Sequence, residues 1–80
     1  MIDRRREASP VLFKALHDRI RRDAPRWREM EPYELRKLAN DFDQMRLLFG
    51  ARYSEVRAVT GLSSEEFEDL SQRLDEVEAE

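Results

Sequence analysis

The sequence predicts an all-α fold of about four helices, and three observations support this prediction. Apolar residues recur at spacings of three and four, as one buried face of a helix requires. No segment alternates apolar and polar residues over a useful length, and no Asn-Gly or Asp-Gly turn occurs. Pro and Gly stand where helices are expected to start and stop. With 80 residues, the chain has room for one domain, a compact helical array with a small core.

The first helix is predicted to begin at Ser9-Pro10 and to end near Asp23. Ser is a good N-cap, and Pro fits the first helical position because its missing N–H would have no partner there. Pro25 disfavours helical backbone in the residue before it. Residues 1–8 are then expected to form a flexible basic arm. The apolar stripe of the helix comprises Val11, Leu12, Ala15, Leu16 and Ile20, broadened by Phe13.

Residues 24–31 are predicted to bridge the first and second helices. Trp27 and Met30 stand three residues apart, which suits a single helical turn lying over the core. Trp27 is also flanked by Arg26 and Arg28, and a tryptophan with arginine neighbours is typical of a binding hot spot. Both interpretations stay open, and the lid over the core is favoured.

The second helix is predicted to start at Pro32 and to end at Gly50, which provides a left-handed C-terminal stop. It carries an apolar seam with spacings of 3, 4, 3 and 4 residues, widened by Ala39 and Leu48. The seam comprises Leu35, Leu38, Phe42, Met45 and Phe49.

The third helix is predicted over residues 52–60, ending at Gly61, and the fourth begins with a capping box of Ser63 and Glu66. Carboxylates at the end of the fourth helix oppose its dipole, so residues 76–80 are expected to fray. The fourth helix has the apolar stripe Phe67, Leu70, Leu74 and Val77. The predicted core of the whole chain comprises Leu12, Leu16, Ile20, Leu35, Leu38, Phe42, Met45, Phe49, Val56, Val59, Leu62, Phe67, Leu70 and Leu74.

Residues 54–70 resemble a helix-turn-helix unit, because a short helix ends at Thr60-Gly61-Leu62 and a capped helix follows at once. Gly61 takes the place of the turn glycine, and the resemblance implies a helix-turn-helix-like C-terminal half. The apolar positions that match the pattern are Val56, Leu62, Phe67 and Leu70. The positions that would face a DNA groove are Ser63, Ser64, Glu65, Glu68, Asp69 and Gln72. Half of these are carboxylates, which phosphates repel, so the unit is expected to face a protein.

Charge is segregated along the chain. Residues 1–28 carry a net charge of +5, whereas residues 63–80 carry −7. Either the basic first helix packs beside the acidic last helix and the two screen each other, or the two ends dock onto charged partners. The candidate basic surface comprises Arg4, Arg5, Arg6, Arg19, Arg22, Arg26, Trp27 and Arg28. The candidate acidic surface comprises Glu65, Glu68, Asp69, Asp75 and Glu76.

Several kinds of chemistry are missing from the sequence. Without Cys there is no disulfide, no thiolate nucleophile and no cysteine zinc site. His17 is the single histidine, and two glycines that already end helices cannot cradle a phosphate. No catalytic residue, cofactor or metal site is therefore expected. The sequence also shows no export signal and no apolar run long enough to cross a membrane, which indicates a cytoplasmic protein.

These features favour a non-enzymatic small regulatory or adaptor protein that acts by binding another protein. Arg outnumbers Lys 13 to 2, which indicates a GC-rich genome and hence a bacterium or a phage. One alternative is a transcriptional regulator that binds nucleic acid through the basic N-terminal region. Another is a homo-oligomeric structural module, in which the apolar seam of the second or fourth helix pairs with its copy in a second chain, for example as a homodimer.

Overall fold

The computed structural model describes the backbone of residues 4–79 and the side chains of residues 10–79. Within these limits the chain is all-α, without a strand, and the predicted class of about four helices is confirmed. The elements are α1 (Arg4–Asp23), a 3₁₀ helix (Ala24–Glu29), α2 (Pro32–Phe49), α3 (Tyr53–Thr60) and α4 (Ser64–Ala79).

Helix α1 begins earlier than the sequence predicts. The predicted cap at Ser9-Pro10 lies inside the helix, which starts at Arg4. The intervening Arg, Glu and Ala residues are strong helix formers, and they extend the helix past a Pro that lacks one backbone donor. The backbone of residues 1–3 and the side chains of residues 1–9 lie outside the described part, so the flexible basic arm over residues 1–8 stays a prediction.

The other helix ends agree closely with their sequence signals. Gly50 and Gly61 both take left-handed backbone, with φ of 66° and 76°, and end α2 and α3. The buried Thr60 closes α3, because its Oγ1 donates to the carbonyl of Arg57 (2.5 Å) and accepts from the N–H of Leu62 (3.1 Å). Helix α4 is helical through Ala79, and fraying of residues 76–80 stays a prediction because Glu80 is outside the described residues.

Helices α1 and α2 run antiparallel, and they form the frame of the fold. Arg19 faces Asp41, and the Phe13 ring meets Phe49 edge-on with 5.2 Å between ring centres. Helix α1 packs against α2 and α3, whereas α4 packs principally on α2. The acidic last helix is therefore not the main neighbour of the basic first helix.

The core lies between α1, α2 and α4 and largely matches the predicted set. Ten of the fourteen predicted core residues are buried, and Phe49, Val59 and Leu62 are half-buried against them. The buried members are Leu16, Ile20, Leu35, Leu38, Phe42, Met45, Val56, Phe67, Leu70 and Leu74, to which the structure adds Ala24, Ala39 and Val77.

Leu12 is the predicted core residue that the structure leaves exposed, with 36% of its surface accessible. The neighbouring Phe13 contacts Phe49, the last residue of α2, so α2 has ended where it would need to cover Leu12. Leu48, predicted to widen the seam of α2, is also exposed, at 46%. The apolar stripes of α1 and α2 thus each extend past the part of the helix that the rest of the fold buries.

Candidate interaction surfaces

Arg19, which was predicted to belong to a basic docking surface, forms an ion pair within the fold. Its guanidinium donates two hydrogen bonds to Asp41, Nε to Oδ2 at 3.2 Å and Nη2 to Oδ1 at 2.9 Å. Asp41 is only 7% exposed, whereas the side chain of Arg19 is nearly half exposed. These hydrogen bonds, together with the charge of Asp41, raise the pKa of Arg19 above its usual value. Arg19 thus satisfies a buried carboxylate of α2.

The other described arginines of this surface also lie beside carboxylates. Arg22 donates to Asp23 at 2.9 and 3.2 Å, and these bonds raise the pKa of Arg22. Arg26 Nε lies 3.8 Å from Glu29 Oε2. The side chains of Arg4, Arg5 and Arg6 lie outside the described residues. Arg22 and Arg26 therefore lie beside carboxylates close to them in sequence, whereas the carboxylate partner of Arg19 comes from another helix.

Among the predicted basic residues whose side chains are described, Arg28 alone pairs with the acidic helix α4. Its Nη1 donates to Glu66 Oε1 at 2.5 Å, while its guanidinium carbon lies 4.5 Å from the centre of the Trp27 ring. The backbone N–H of Glu66 donates to Ser63 Oγ (3.2 Å), so one half of the predicted capping box forms and the Glu66 carboxylate binds Arg28. This contact attaches the start of α4 to the 3₁₀ helix.

Trp27 packs half-buried against the core, as a lid would. Its indole Nε1 is buried without a hydrogen-bond partner among residues 10–79. Its predicted role in partner binding stays a prediction.

A shallow cleft between α1 and α2 gathers cations that the sequence analysis did not group. Arg36 and Lys37 of α2 line it together with Arg19 and Arg22 of α1. Two carboxylates, Asp23 and Asp41, and the amide of Asn40 line the same cleft. The local net charge is positive but partly offset. Helical spacing within α2 gives no sign of this cleft, because it depends on how α1 crosses α2.

The predicted acidic surface divides into two parts on α4. Glu65, Glu68 and Asp69 are exposed and have no ion pair with any residue between 10 and 79, and Glu76 lies 3.4 Å from Arg73. Asp75 instead lines a groove between α2, α3 and α4. The outward carboxylates form an exposed negative face, which is free to meet a positively charged molecule.

The groove beside Asp75 has an apolar floor and an acidic rim. Its volume is about 250 Å³, and its floor is formed by Ala39, Phe42, Val56, Phe67 and Leu74. Its rim is formed by Asp43, Arg46, Tyr53, Ser71, Asp75 and Glu78. Among the rim residues, Asp75 alone belongs to the predicted acidic surface, because the groove arises only where three helices meet.

Tyr53 closes one wall of this groove, which we call the α2–α3–α4 groove. Its ring packs edge-on against Phe67 with 4.8 Å between centres, and its hydroxyl lies 3.4 Å from Ser71 Oγ. Phe42 lies 5.8 Å from Phe67 by the same measure. Three aromatic rings thus line the groove, and among them the ring of Tyr53 is exposed, so that its face is accessible to a cation.

His17, the single histidine, does not belong to a metal-ligand cluster among the described residues. His17 Nδ1 lies 3.6 Å from Asp18 Oδ1, too far for a hydrogen bond, and Asp18 instead accepts from Lys14 at 2.8 Å. No three His, Asp or Glu side chains in this part of the chain gather as metal ligands would. Among the helices described, none is long and apolar enough to span a membrane.

Comparisons with protein-family models, with curated proteins and with solved structures find no match to this chain. The helix-turn-helix resemblance of residues 54–70 therefore stays a prediction, although α3 and α4 have the expected bounds. The surfaces described above are the basis for inferring a function.

Proposed function

We propose that this chain is a small non-enzymatic regulatory or adaptor protein, of bacterial or phage origin and cytoplasmic, that binds a basic surface of a protein partner. The exposed negative face of α4 carries this proposal. Three of its carboxylates, Glu65, Glu68 and Asp69, form no ion pair with any residue between 10 and 79. Such a face attracts a positive surface and speeds its encounter.

The first prediction is that a partner is captured through this face. Tagged wild-type protein in its native host is expected to recover a specific protein, identifiable by mass. The triple variant Glu65→Lys, Glu68→Lys, Asp69→Lys is expected to lose it, because the positive partner surface would then be repelled. Circular dichroism checks that the variant keeps its helices.

A matched control reverses three carboxylates elsewhere, Glu29→Lys, Glu31→Lys and Glu34→Lys. The change in net charge is the same, so this variant should still capture the partner. Recovery of no protein above background by the wild type, or equal recovery by both triple variants, would contradict the proposal.

Nucleic-acid binding remains the second candidate, and the cleft between α1 and α2 is the observation that favours it. Arg36 and Lys37 add positive charge there, but Asp23 and Asp41 offset part of it. Phosphate contacts are strongest at low salt, so a gel shift at about 50 mM salt is the sensitive test. A band that weakens as salt rises would favour this candidate over protein binding.

The homo-oligomer alternative relied on an apolar seam of α2 or α4 that pairs with its copy in a second chain. The seams predicted to pair between chains are buried within one chain, with Leu35, Leu38 and Met45 of α2 and Leu70 and Val77 of α4 almost inaccessible. These side chains are therefore not available to a second copy while the fold is intact.

A further inference from the structure

We propose that the α2–α3–α4 groove binds an arginine side chain from the basic segment of the partner. This inference rests on the proposed function and specifies both the place and the chemistry of docking. The groove lies beside the exposed negative face of α4, and Asp75 of the predicted acidic surface forms part of its rim.

The size of the groove suits one side chain. Its volume of about 250 Å³ lies below the roughly 300–1,000 Å³ typical of small-molecule sites. The floor of Phe42, Phe67 and Leu74 can cover the aliphatic stem of a long basic residue, which leaves its charged head at the rim. A lone apolar side chain would leave the rim carboxylates without a counter-charge.

The rim supplies that counter-charge. The rim carries three carboxylates, Asp43, Asp75 and Glu78, and one cation, Arg46. The Nη1 atom of Arg46 lies 3.8 Å from Asp43 Oδ1. Asp75 and Glu78 have no ion pair with any residue from 10 to 79. The rim therefore has a net negative charge, which complements a positive side chain.

Arginine suits this site better than lysine. A planar guanidinium can stack on an aromatic ring and donate two parallel hydrogen bonds to one carboxylate, whereas an ammonium is a compact, strongly hydrated charge. The ring of Tyr53 is held at the rim by Phe67 and by its contact with Ser71. Tyr53 and Asp75 both line the groove, so it offers an arginine side chain an aromatic ring as well as a carboxylate.

The second prediction uses fluorescence anisotropy with a short labelled helical peptide of Arg, Ala and Leu. Asp75→Lys should weaken its binding at least about tenfold, because a rim carboxylate becomes a repelling cation. Asp18→Lys is the matched control, since it makes the same charge change at an exposed carboxylate of α1, outside both the groove and the negative face of α4. It should weaken binding less than about threefold. Ser71→Phe, which fills the groove without changing charge, should act like Asp75→Lys.

Two further peptides test the chemistry of the bound residue. Replacing Arg with citrulline, its neutral analogue, should abolish binding, and replacing it with Lys should weaken it. A Lys peptide that binds as tightly as the Arg peptide would overturn the assignment to arginine. Circular dichroism of each variant checks that the helices are intact.

The remaining outcomes separate this inference from the proposed function. Equal losses in Asp75→Lys and Asp18→Lys would overturn the groove, because binding would then follow the net charge of the protein and not the groove. No binding of the Arg peptide by the wild type would also overturn the groove, whereas partner capture tests the function independently. A wild-type dimer in sedimentation that Asp75→Lys dissociates would show that a second copy occupies the groove, which also overturns the proposal.

Discussion

Leu16→Ala is expected to lower the free energy of unfolding by about 3 kcal/mol, since removing a fully buried Leu side chain leaves a cavity in a packed core. Leu16 is 0% exposed, and it lies in the core between α1 and its neighbours. A domain of this size has roughly 4–12 kcal/mol of stability in total, so the loss would be a large fraction of it. Urea denaturation followed by circular dichroism measures the change.

Leu12→Ala is the matched control, because Leu12 lies one turn earlier on the same helix face and is 36% exposed. Its expected cost is below about 1 kcal/mol, since part of that side chain is already in water. Equal losses at the two positions would mean that α1 is buried along its whole apolar stripe, contrary to the structure.

Asp41→Asn is expected to destabilise the fold by about 2 kcal/mol. Asp41 is nearly inaccessible and accepts two hydrogen bonds from Arg19. Breaking a fully buried ion pair costs about 3–5 kcal/mol, and the partial exposure of Arg19 lowers the cost here. Thermal unfolding should show a lower midpoint than that of the wild type.

Asp18→Asn provides the comparison for Asp41. Asp18 is exposed and pairs with Lys14 at 2.8 Å on the outer face of α1. Because water screens such a pair, no measurable change in stability is expected. If Asp18→Asn and Asp41→Asn were equally destabilising, the ion pair between Arg19 and Asp41 would not stabilise the fold more than an exposed pair does.

Sequence patterns predicted the helices well because their signals are local. Gly50 and Gly61 end helices through backbone geometry that needs no distant partner, and helical spacing identified most of the core. The start of α1 was predicted wrongly at Ser9-Pro10, because strong helix formers precede that point and extend the helix.

Features that depend on helix crossing could not be predicted in this way. Leu12 continues a perfect apolar stripe, yet α2 ends too early to cover it. Asp41 looks like any polar residue of a helix, and its burial follows from the position of Arg19 on another helix. The charge pattern likewise showed segregation along the chain, but not the pairing of Arg28 with Glu66 in space.

The α2–α3–α4 groove depends most strongly on how the helices cross. Its lining comes from three helices, and the charge pattern of the sequence placed Asp75 in an acidic surface of α4 but not at the rim of a groove. Most of the apolar floor residues were already predicted to belong to the core, so helical spacing did not indicate that a groove forms beside them.

Amide chemical-shift mapping of the wild-type protein, titrated with the Arg-containing peptide, shows directly whether the peptide binds in the α2–α3–α4 groove. If arginine binds in the groove, the largest saturable chemical-shift changes are expected around it, at Asp43, Tyr53, Ser71 and Asp75. Changes concentrated on the cleft residues Arg22 and Lys37, or no saturable change at any amide, would contradict it.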